Sequence, residues 1–323
     1  MLNRIARNVK YIARLTEFIR ETYGISAHAL LPARRGYYGE TWRADAAGGS
    51  YFLKLDYIPR HKEIFKNSLH VMEYLCDEGI DFISKIVKTS GGGLYSIFDS
   101  AVLGAFEWID GENVETDETK IPEYQMLGKI YALSKPGFNI PTITFSSETV
   151  DRVFRLWDLY KSSQSRDSYK AVLALLAKHE GVINRSAARL KHFAERCHAD
   201  ASHFYITHGD AGGNFVVGRE RNYFVDWDEV MYAPPERDAW VMGCYEWARK
   251  LFNESLSQNG IQYELRPERL AFFCCHMFLF YLGEFLEDYP MHFDCGGMAD
   301  FMNDGWIWER IAYTDAVYDD MYI

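Results

Sequence analysis

The sequence feature that most constrains the fold is a change of pattern about a third of the way along the chain. After an amphipathic segment at 2–23, alternating residues and glycine turns predict antiparallel strands up to about residue 109. A strand-rich front and a helix-rich back predict an α+β protein with two lobes, 1–109 and 110–323, and an active site between them. The segments long enough for helices are 63–77, 121–134, 147–160, 167–180, 183–198, 236–258, 267–288 and 298–321.

The composition permits a substantial core and gives no sign of a membrane span. Hydrophobic residues make up 48% of the 323 positions, enough for one large domain or two modest ones. The most apolar stretch, 270–286, contains Cys274, His276 and Glu284, so it predicts a buried helix rather than a transmembrane one. The N-terminus lacks a secretion signal, and the six cysteines have neither disulfide nor metal-site spacing. We therefore expect a cytoplasmic protein that binds neither membrane nor nucleic acid.

Two acidic motifs on either side of a predicted hairpin indicate phosphoryl-transfer chemistry. The segment 204–206 reads as a short strand that delivers His208 and Asp210 to a loop. A hairpin over 215–225 would then bring Asn214 and Asp226 to the same end. The first carboxylate can orient a hydroxyl and accept its proton, while the Asn and the second Asp can hold Mg²⁺ against nucleotide phosphates. The alternative is an ordinary hairpin with solvated acids in its turns.

The motif His208-Gly209-Asp210, with Asn214, Asp226-Trp227-Asp228 and the segment 234–238 behind it, resembles the aminoglycoside phosphotransferase and choline kinase superfamily. The match is most similar to the spectinomycin phosphotransferase branch. The resemblance implies a bilobal protein-kinase-like fold with a small antiparallel-sheet lobe and a large helical lobe. It also implies ATP or GTP and Mg²⁺ as cofactors.

The resemblance assigns roles to the motif residues. Asp210 would be the catalytic carboxylate, His208 would support its loop, and Asn214 and Asp226 would be the metal ligands. Asp228 would lie behind the site or reach the acceptor. The family usually has four residues between the catalytic Asp and the Asn, whereas this chain has three. Two of the three are adjacent glycines, which accept unusual backbone angles at little steric cost.

Lys54 is the candidate phosphate-binding lysine. It takes an inward position on a strand rich in Leu, Phe and Tyr, where an unpaired charge is costly. The alternative is a surface lysine whose ammonium reaches solvent. By family position, Glu63 on the following helix would be its partner, and Glu73 would be a solvated helix acid.

Two further segments are candidates for nucleotide contacts. The glycine turn between the first strands could lay backbone amides over phosphates, with Gly36, Gly39 and Thr41 as its contact residues. The segment around Glu107 and Ile109 resembles the hinge whose backbone meets the adenine edge. The alternative for that segment is a strand that simply ends at an Asp-Gly turn.

The charge distribution is asymmetric within a net charge of −11. Residues 1–60 carry ten Lys and Arg against five Asp and Glu, whereas residues 281–323 carry ten acids against Arg310 alone. A basic front suits a nucleotide, and an acidic tail suits a cationic acceptor, although acids on helices can also serve solubility. The candidate acceptor-binding residues are Asp228, Asp294, Asp300, Asp304, Trp306 and Glu309.

The sequence therefore predicts a kinase that transfers the nucleotide γ-phosphate to a hydroxyl of a small cationic molecule. By resemblance the acceptor is an aminoglycoside or aminocyclitol antibiotic, which implies a role in resistance. A metabolic kinase of choline or another amino alcohol would share the nucleotide residues and differ in the acceptor pocket. A protein kinase of the bacterial stress-response type would share the two lobes, but no activation-loop signature follows Asp226, and Asp-Trp-Asp stands where Asp-Phe-Gly is expected. A degenerate kinase-like binding protein is a further possibility, motivated by the shortened loop. The oligomeric state stays open.

Overall fold

The structure is a computed structural model that describes residues 8–33, 39–163, 167–303 and 305–321. The chain forms two compact units, one of residues up to 141 together with 206–232, the other of the remainder. This division differs from the lobe boundary expected at residue 109. The first unit continues past that point because strand pairing at 111–113 draws the hairpin of 215–224 into it.

The first unit combines a five-stranded antiparallel sheet with three helices and several short strands. The helices are α1 (Val9–Tyr23), α2 (Pro59–Asp77) and α3 (Lys120–Ala132), and the strands are β1 (Ala27–Pro32), β2 (Gly39–Ala46), β3 (Gly49–Asp56), β4 (Ser96–Phe98), β5 (Ala101–Glu107), β6 (Gly111–Asn113), β7 (Tyr205–Thr207), β8 (Phe215–Gly218), β9 (Asn222–Phe224) and β10 (Met231–Ala233). The five-stranded sheet has the strand order β1-β2-β3-β5-β4. A second small sheet has the order β6-β8-β9, and β7 pairs with β10.

The helix α1 covers one face of the five-stranded sheet. Its buried side chains recur at every fourth residue, and they pack with the sheet residues Trp42, Leu53 and Leu55. Because side chains alternate along a strand, Leu53 and Leu55 face this core while Lys54 lies on the opposite face. There Lys54 is close to α2, with its ammonium 5.5 Å from the centre of the Phe65 ring.

The second unit is helical. Its helices are α4 (Glu148–Ser162), α5 (Lys170–Lys178), α6 (Glu180–His198), α7 (Glu236–Ala239), α8 (Glu246–Gln258), α9 (Pro267–His292), α10 (Gly296–Asn303) and α11 (Ile307–Asp320). The core residues of α9 are apolar on several sides, among them Phe272, Phe278 and Leu282, and they pack with residues of α4, α6 and α11. A helix surrounded in this way is expected to be hydrophobic all round.

The α+β class predicted from the sequence is confirmed, with differences in helix boundaries. The predicted helix 236–258 is two helices, α7 and α8, and the predicted 298–321 is α10 and α11. Among the described helices, α9 passes a length-and-composition test for a membrane span, but 61% of its most apolar window is buried inside the protein. That burial agrees with the buried helix expected at 270–286.

Candidate functional site

The loop after β7 is fixed by His208, whose side chain is fully buried. Its Nε2 donates to the carbonyl of Val225 at 3.0 Å, and its Nδ1 accepts from the backbone N–H of Asp210 at 3.3 Å. The ring also packs on Phe224 and Trp227, with centroid distances of 5.4 and 4.7 Å. Both ring nitrogens are therefore engaged by backbone, which suits the supporting role implied for His208 rather than proton transfer.

The shortened loop forms a compact turn in which Asn214 holds Asp210. The Nδ2 of Asn214 donates to the backbone carbonyl of Asp210 at 2.8 Å and to the carboxylate Oδ2 of Asp210 at 2.7 Å. The positive φ of this segment is at Gly209, at 87°, where L side chains are disfavoured. Asp210 itself is exposed. Its carboxylate is thus oriented from one side and accessible to a hydroxyl from the other.

Asn113 is a contributor to this loop that the sequence did not reveal. Its Nδ2 donates to the carbonyl of Gly213. It reaches that carbonyl because β6 pairs with β8 so that Asn113 stands opposite Val216. The only sequence signal for this contact is an Asn shortly after the Asp110-Gly111 turn, and the pairing of β6 with β8 cannot be read from a three-residue strand.

The hairpin places Asp226 near Asn214. The N–H of Val225 donates to the carbonyl of Asn214 at 3.1 Å, just beyond the last rung of the β8–β9 ladder. Asp226 has left-handed backbone angles, φ 60° and ψ 68°. Such a conformation costs a non-glycine residue roughly 1–3 kcal/mol and is typical of functional sites. Its side chain is 47% exposed, so the carboxylate is open to a ligand.

Lys54 lies between the carboxylates of Asp226 and Asp228, which follow β9. Its Nζ is 2.6 Å from Asp226 Oδ1 and 2.5 Å from Asp228 Oδ2, and the lysine side chain is 12% exposed. Burial lowers the pKa of Lys54, but the charges of Asp228 and then Asp226 outweigh it, so the pKa rises above its usual value. Lys54 is therefore a fixed cation at neutral pH, as a phosphate-binding group must be.

The pKa values of the Asp226 and Asp228 carboxyls shift in opposite directions because the two side chains differ in burial. Burial raises the pKa of Asp228, whose residue is only 5% exposed, and the Lys54 charge does not fully offset it. Burial acts in the same direction on Asp226, but Lys54 outweighs it and leaves the pKa of Asp226 below its usual value. Asp226 is also the more exposed of the two, which lowers the cost of its negative charge. Of the two, Asp226 is the carboxylate suited to a cation.

The helix glutamate is a correction to the sequence prediction. Glu63 is 69% exposed and pairs with Lys66 at 2.6 Å, whereas the acids beside Lys54 are Asp226 and Asp228. Residues two apart on a helix point about 200° apart, and α2 turns His61 inward, at 3% exposure, so Glu63 faces outward. Glu73 pairs with Lys88 at 2.6 Å, as expected of a surface acid.

The remaining nucleotide candidates have mixed outcomes. Gly36 lies outside the described residues. Thr41 pairs with Lys54 across β2 and β3, and a Cβ at Gly39 would lie 1.8 Å from the Leu55 carbonyl oxygen, so strand packing alone requires that glycine. The Glu107 N–H donates to the backbone carbonyl of Lys85 at 2.9 Å, and the Glu107 carbonyl accepts from the Ser84 hydroxyl at 2.7 Å. An adenine contact by the Glu107 N–H would therefore displace a protein bond.

Ile109 is the other predicted hinge residue. It is half-buried and lies just before β6. Because the Glu107 N–H is already engaged, the structure favours Ile109 over Glu107 as the donor to an adenine edge. The hinge role itself stays a prediction.

The candidate acceptor residues of the acidic tail belong to the second unit. Asp294 and Asp300 are exposed, and Asp304 lies outside the described residues. Glu309 is 57% exposed at its side chain and accepts from Tyr245 and, at 2.9 Å, from Arg310. Trp306, 45% exposed, packs against Trp240 at 5.6 Å between ring centroids. Their role in acceptor binding stays a prediction.

Mg²⁺ fits the oxygens of the first unit. Within the described ranges, no group of three or more His, Cys, Asp or Glu forms a ready metal cage. Mg²⁺ does not need one, because it commonly binds through one or two protein oxygens, waters and substrate phosphates. The half-exposed carboxylate of Asp226 and the side-chain oxygen of Asn214 supply such ligands.

A buried carboxyl in the second unit was also missed by the sequence reasoning. Glu236, fully buried, accepts from the Tyr263 hydroxyl and the Arg266 N–H, each at 2.6 Å. Burial raises the pKa of Glu236 to about 7, against the opposing effect of those hydrogen bonds. The signal was present in the segment 234–238, where this acid follows two prolines, but nothing in the sequence showed its burial.

Comparisons with known proteins show the family and the fold. A family model described as the phosphotransferase enzyme family, APH, matches residues 29–273. A search of curated protein sequences found no match. Among solved structures, spectinomycin phosphotransferase APH(9)-Ia in complex with ADP and spectinomycin is similar with a TM-score of 0.76 at 20% identity, covering 95% of this chain and 98% of that one.

Two further solved structures share the fold at lower identity. An aminoglycoside phosphotransferase from Alicyclobacillus acidocaldarius has a TM-score of 0.64 at 15% identity, covering 91% of this chain and 94% of that one. A microcompartment-associated aminopropanol kinase has a TM-score of 0.65 at 14% identity, covering 96% and 98%. These similarities confirm the kinase-like fold that the motifs predicted.

Proposed function

Because this chain belongs to the phosphotransferase enzyme family, we propose that it transfers the γ-phosphate of ATP or GTP to a hydroxyl of a small cationic molecule. The membership confirms both the resemblance found in the motifs and the predicted enzyme class, a phosphotransferase. The observation that carries the proposal is a pair of contacts in the first unit. Asn214 donates a hydrogen bond to the Asp210 carboxylate, and Lys54 forms an ion pair with Asp226.

Each group has a definite task in this proposal. The exposed Asp210 carboxylate orients the acceptor hydroxyl and accepts its proton late in the transfer, held in place by Asn214. Lys54 binds the α- and β-phosphates, for which its raised pKa keeps it protonated. Asp226 and Asn214 would hold Mg²⁺, which neutralises phosphate charge when bound. His208 keeps the loop in shape through its two backbone contacts.

For the acceptor we propose an aminoglycoside or aminocyclitol antibiotic, modified in the cytoplasm as a means of resistance. The support is the net charge of −11, the acidic tail, and the similarity to a structure determined with spectinomycin. A second candidate is an amino alcohol, supported by the similarity to an aminopropanol kinase. Both are cationic molecules with a free hydroxyl, and they differ mainly in size.

The deciding experiment is a phosphorylation screen with ATP and GTP over aminoglycosides, spectinomycin, choline, ethanolamine and aminopropanol. Transfer of radiolabelled phosphate is measured with and without Mg²⁺, and Asp210→Asn serves as the inactive control. We expect Mg²⁺-dependent labelling of one acceptor class. Tight Mg·nucleotide binding without transfer to any acceptor in the screen would count against the kinase and favour a degenerate binding protein.

A further inference from the structure

A buried carboxylate–imidazole pair beside the candidate site has no task in the proposed reaction. Asp56 and His61 are 1% and 3% exposed, and the His61 Nδ1 donates to the Asp56 carboxylate. Asp56 also accepts from the N–H of Ile58 at 2.8 Å, just before α2 begins. Buried polar groups are costly unless paired, so this arrangement is closely specified rather than incidental.

The other edge of the imidazole faces the lysine site. The Nε2 of His61 lies 3.8 Å from Asp228 Oδ2, and the same oxygen lies 2.5 Å from the Lys54 Nζ. At 3.8 Å the contact is electrostatic rather than a hydrogen bond, and it attracts the Asp228 carboxylate when Nε2 carries a proton as well as Nδ1. Four buried or nearly buried side chains, Asp56, His61, Asp228 and Lys54, therefore form a continuous row inside the first unit.

Burial explains why Asp228 needs such a neighbour. Asp226 is half exposed and can leave Lys54 for a ligand, whereas Asp228 is buried and has to stay beside the lysine. The orientation of the Asp228 carboxylate then decides where the Lys54 ammonium sits. On the α2 side, the charged or titratable group that reaches Asp228 is His61, because Glu63 is turned outward to Lys66.

We propose that His61 is a positioning residue for nucleotide binding: Asp56 fixes the ring, the ring orients Asp228, and Asp228 holds Lys54 where phosphates bind. His61 and Asp228 together thus do the work that the family resemblance assigns to a helix glutamate at position 63. The inference rests on the proposed function, since it assigns Lys54 to the phosphates. It concerns the orientation of Asp228 and Lys54.

The test uses two substitutions that separate the two edges of the ring. The side-chain amide of His61→Asn can replace the Nδ1 contact with Asp56 but not the Nε2 contact with Asp228. The longer side chain of His61→Gln can replace the Nε2 contact with Asp228 but not the Nδ1 contact with Asp56. We expect His61→Asn to keep the wild-type Tm within a few degrees, to raise the nucleotide KM about tenfold, and to leave kcat and the acceptor KM within about threefold. His61→Gln should recover part of the nucleotide KM. His70→Asn, an exposed histidine on the same helix, is the matched control.

A second readout needs no nucleotide. Acetylation of Lys54 by acetic anhydride, followed by mass spectrometry, reports how firmly its ammonium is held. We expect labelling severalfold faster in His61→Asn than in wild type or His70→Asn, because a Lys54 side chain that Asp228 no longer holds in place reaches the reagent more often than one that is 12% exposed. If wild type binds no Mg·ATP or Mg·GTP, the proposed function fails, while this labelling still tests the positioning.

Several outcomes would overturn the proposal. Labelling and nucleotide KM in His61→Asn equal to those of His70→Asn would remove any positioning role. A larger loss of nucleotide affinity in Glu63→Gln than in His61→Asn would return the role to the helix glutamate. Unfolding of both His61 variants would show that the pair with Asp56 is purely structural, which also overturns it.

Discussion

At the scale of single residues, the proposed function assigns proton acceptance to Asp210 and phosphate binding to a different residue, Lys54. Asp210→Asn keeps an oxygen that can accept from the Asn214 amide, so the loop should survive. We expect turnover to fall by about 10²–10⁴-fold, the range for a positioned base, with nucleotide affinity unchanged. Steady-state kinetics and calorimetry measure the two effects. More than about a tenth of wild-type turnover in the mutant would contradict the assignment.

Asp226 should affect nucleotide binding far more than stability. Its side chain is 47% exposed, and exposed ion pairs contribute about 0–1 kcal/mol, so Asp226→Ala should lower the Tm only slightly. The same variant should lose most of its affinity for Mg·nucleotide, because it removes the carboxylate that we propose as a metal ligand. Isothermal titration with Mg·ATP and Mg·GTP tests this, with Glu17→Ala, which breaks an exposed pair with Arg20, as control. Unchanged affinity and Mg²⁺ dependence would exclude the metal role.

At the scale of elements, the pairing of β6 with β8 supports the loop that carries Asp210. Asn113 at the end of β6 donates to the carbonyl of Gly213 inside that loop. We expect Asn113→Ala to lower kcat about 10–100-fold while changing the nucleotide Kd less than threefold, since it loosens Asp210 rather than Lys54. The neighbouring exposed Glu112→Ala is the matched control. Equal kinetics in the two variants would mean that the strand pairing alone holds the loop.

The start of α7 should make the stability of the protein depend on pH. Glu236 keeps its proton up to a pKa of about 7 in the folded state, against the ordinary 4.5 when unfolded. The unfolded state therefore releases its proton first as pH rises, and stability falls between pH 4.5 and 7. At about 1.4 kcal/mol per pH unit, the fall amounts to about 3 kcal/mol.

Glu236→Gln should remove that pH dependence. Urea unfolding at pH 5 and pH 8 measures it, and the exposed Glu264→Gln is the control that should behave like wild type. An equal pH dependence in wild type and Glu236→Gln would show that Glu236 is ionised when folded.

At the scale of the whole molecule, the charge asymmetry should govern acceptor capture. Residues 281–323 carry ten acids against one Arg, and several of these acids are exposed. We expect the KM of a cationic acceptor to rise with salt, because exposed charges are screened over about 10 Å at 0.1 M. Neutralising Asp294, Asp300, Asp304 and Glu309 together should remove most of that dependence. An unchanged KM and salt response would leave the tail as a solubility feature.

The sequence by itself determined the fold class, the family and the order of the motif. These features are patterns of neighbouring residues, which can be read directly from a sequence. They are the alternation in the first third, the helical periodicity afterwards, and the motif of His208, Asp210, Asn214 and Asp226. The tertiary structure alone decided the partners. Lys54 meets Asp228 rather than Glu63, and Asn113 reaches Gly213, because helix rotation and strand pairing join residues far apart in the chain. The helix α2 begins at Pro59 rather than at the expected residue 63, so His61 lies inside the helix. Because side-chain direction turns by 100° per residue along a helix, His61 faces Asp228 and Glu63 faces away.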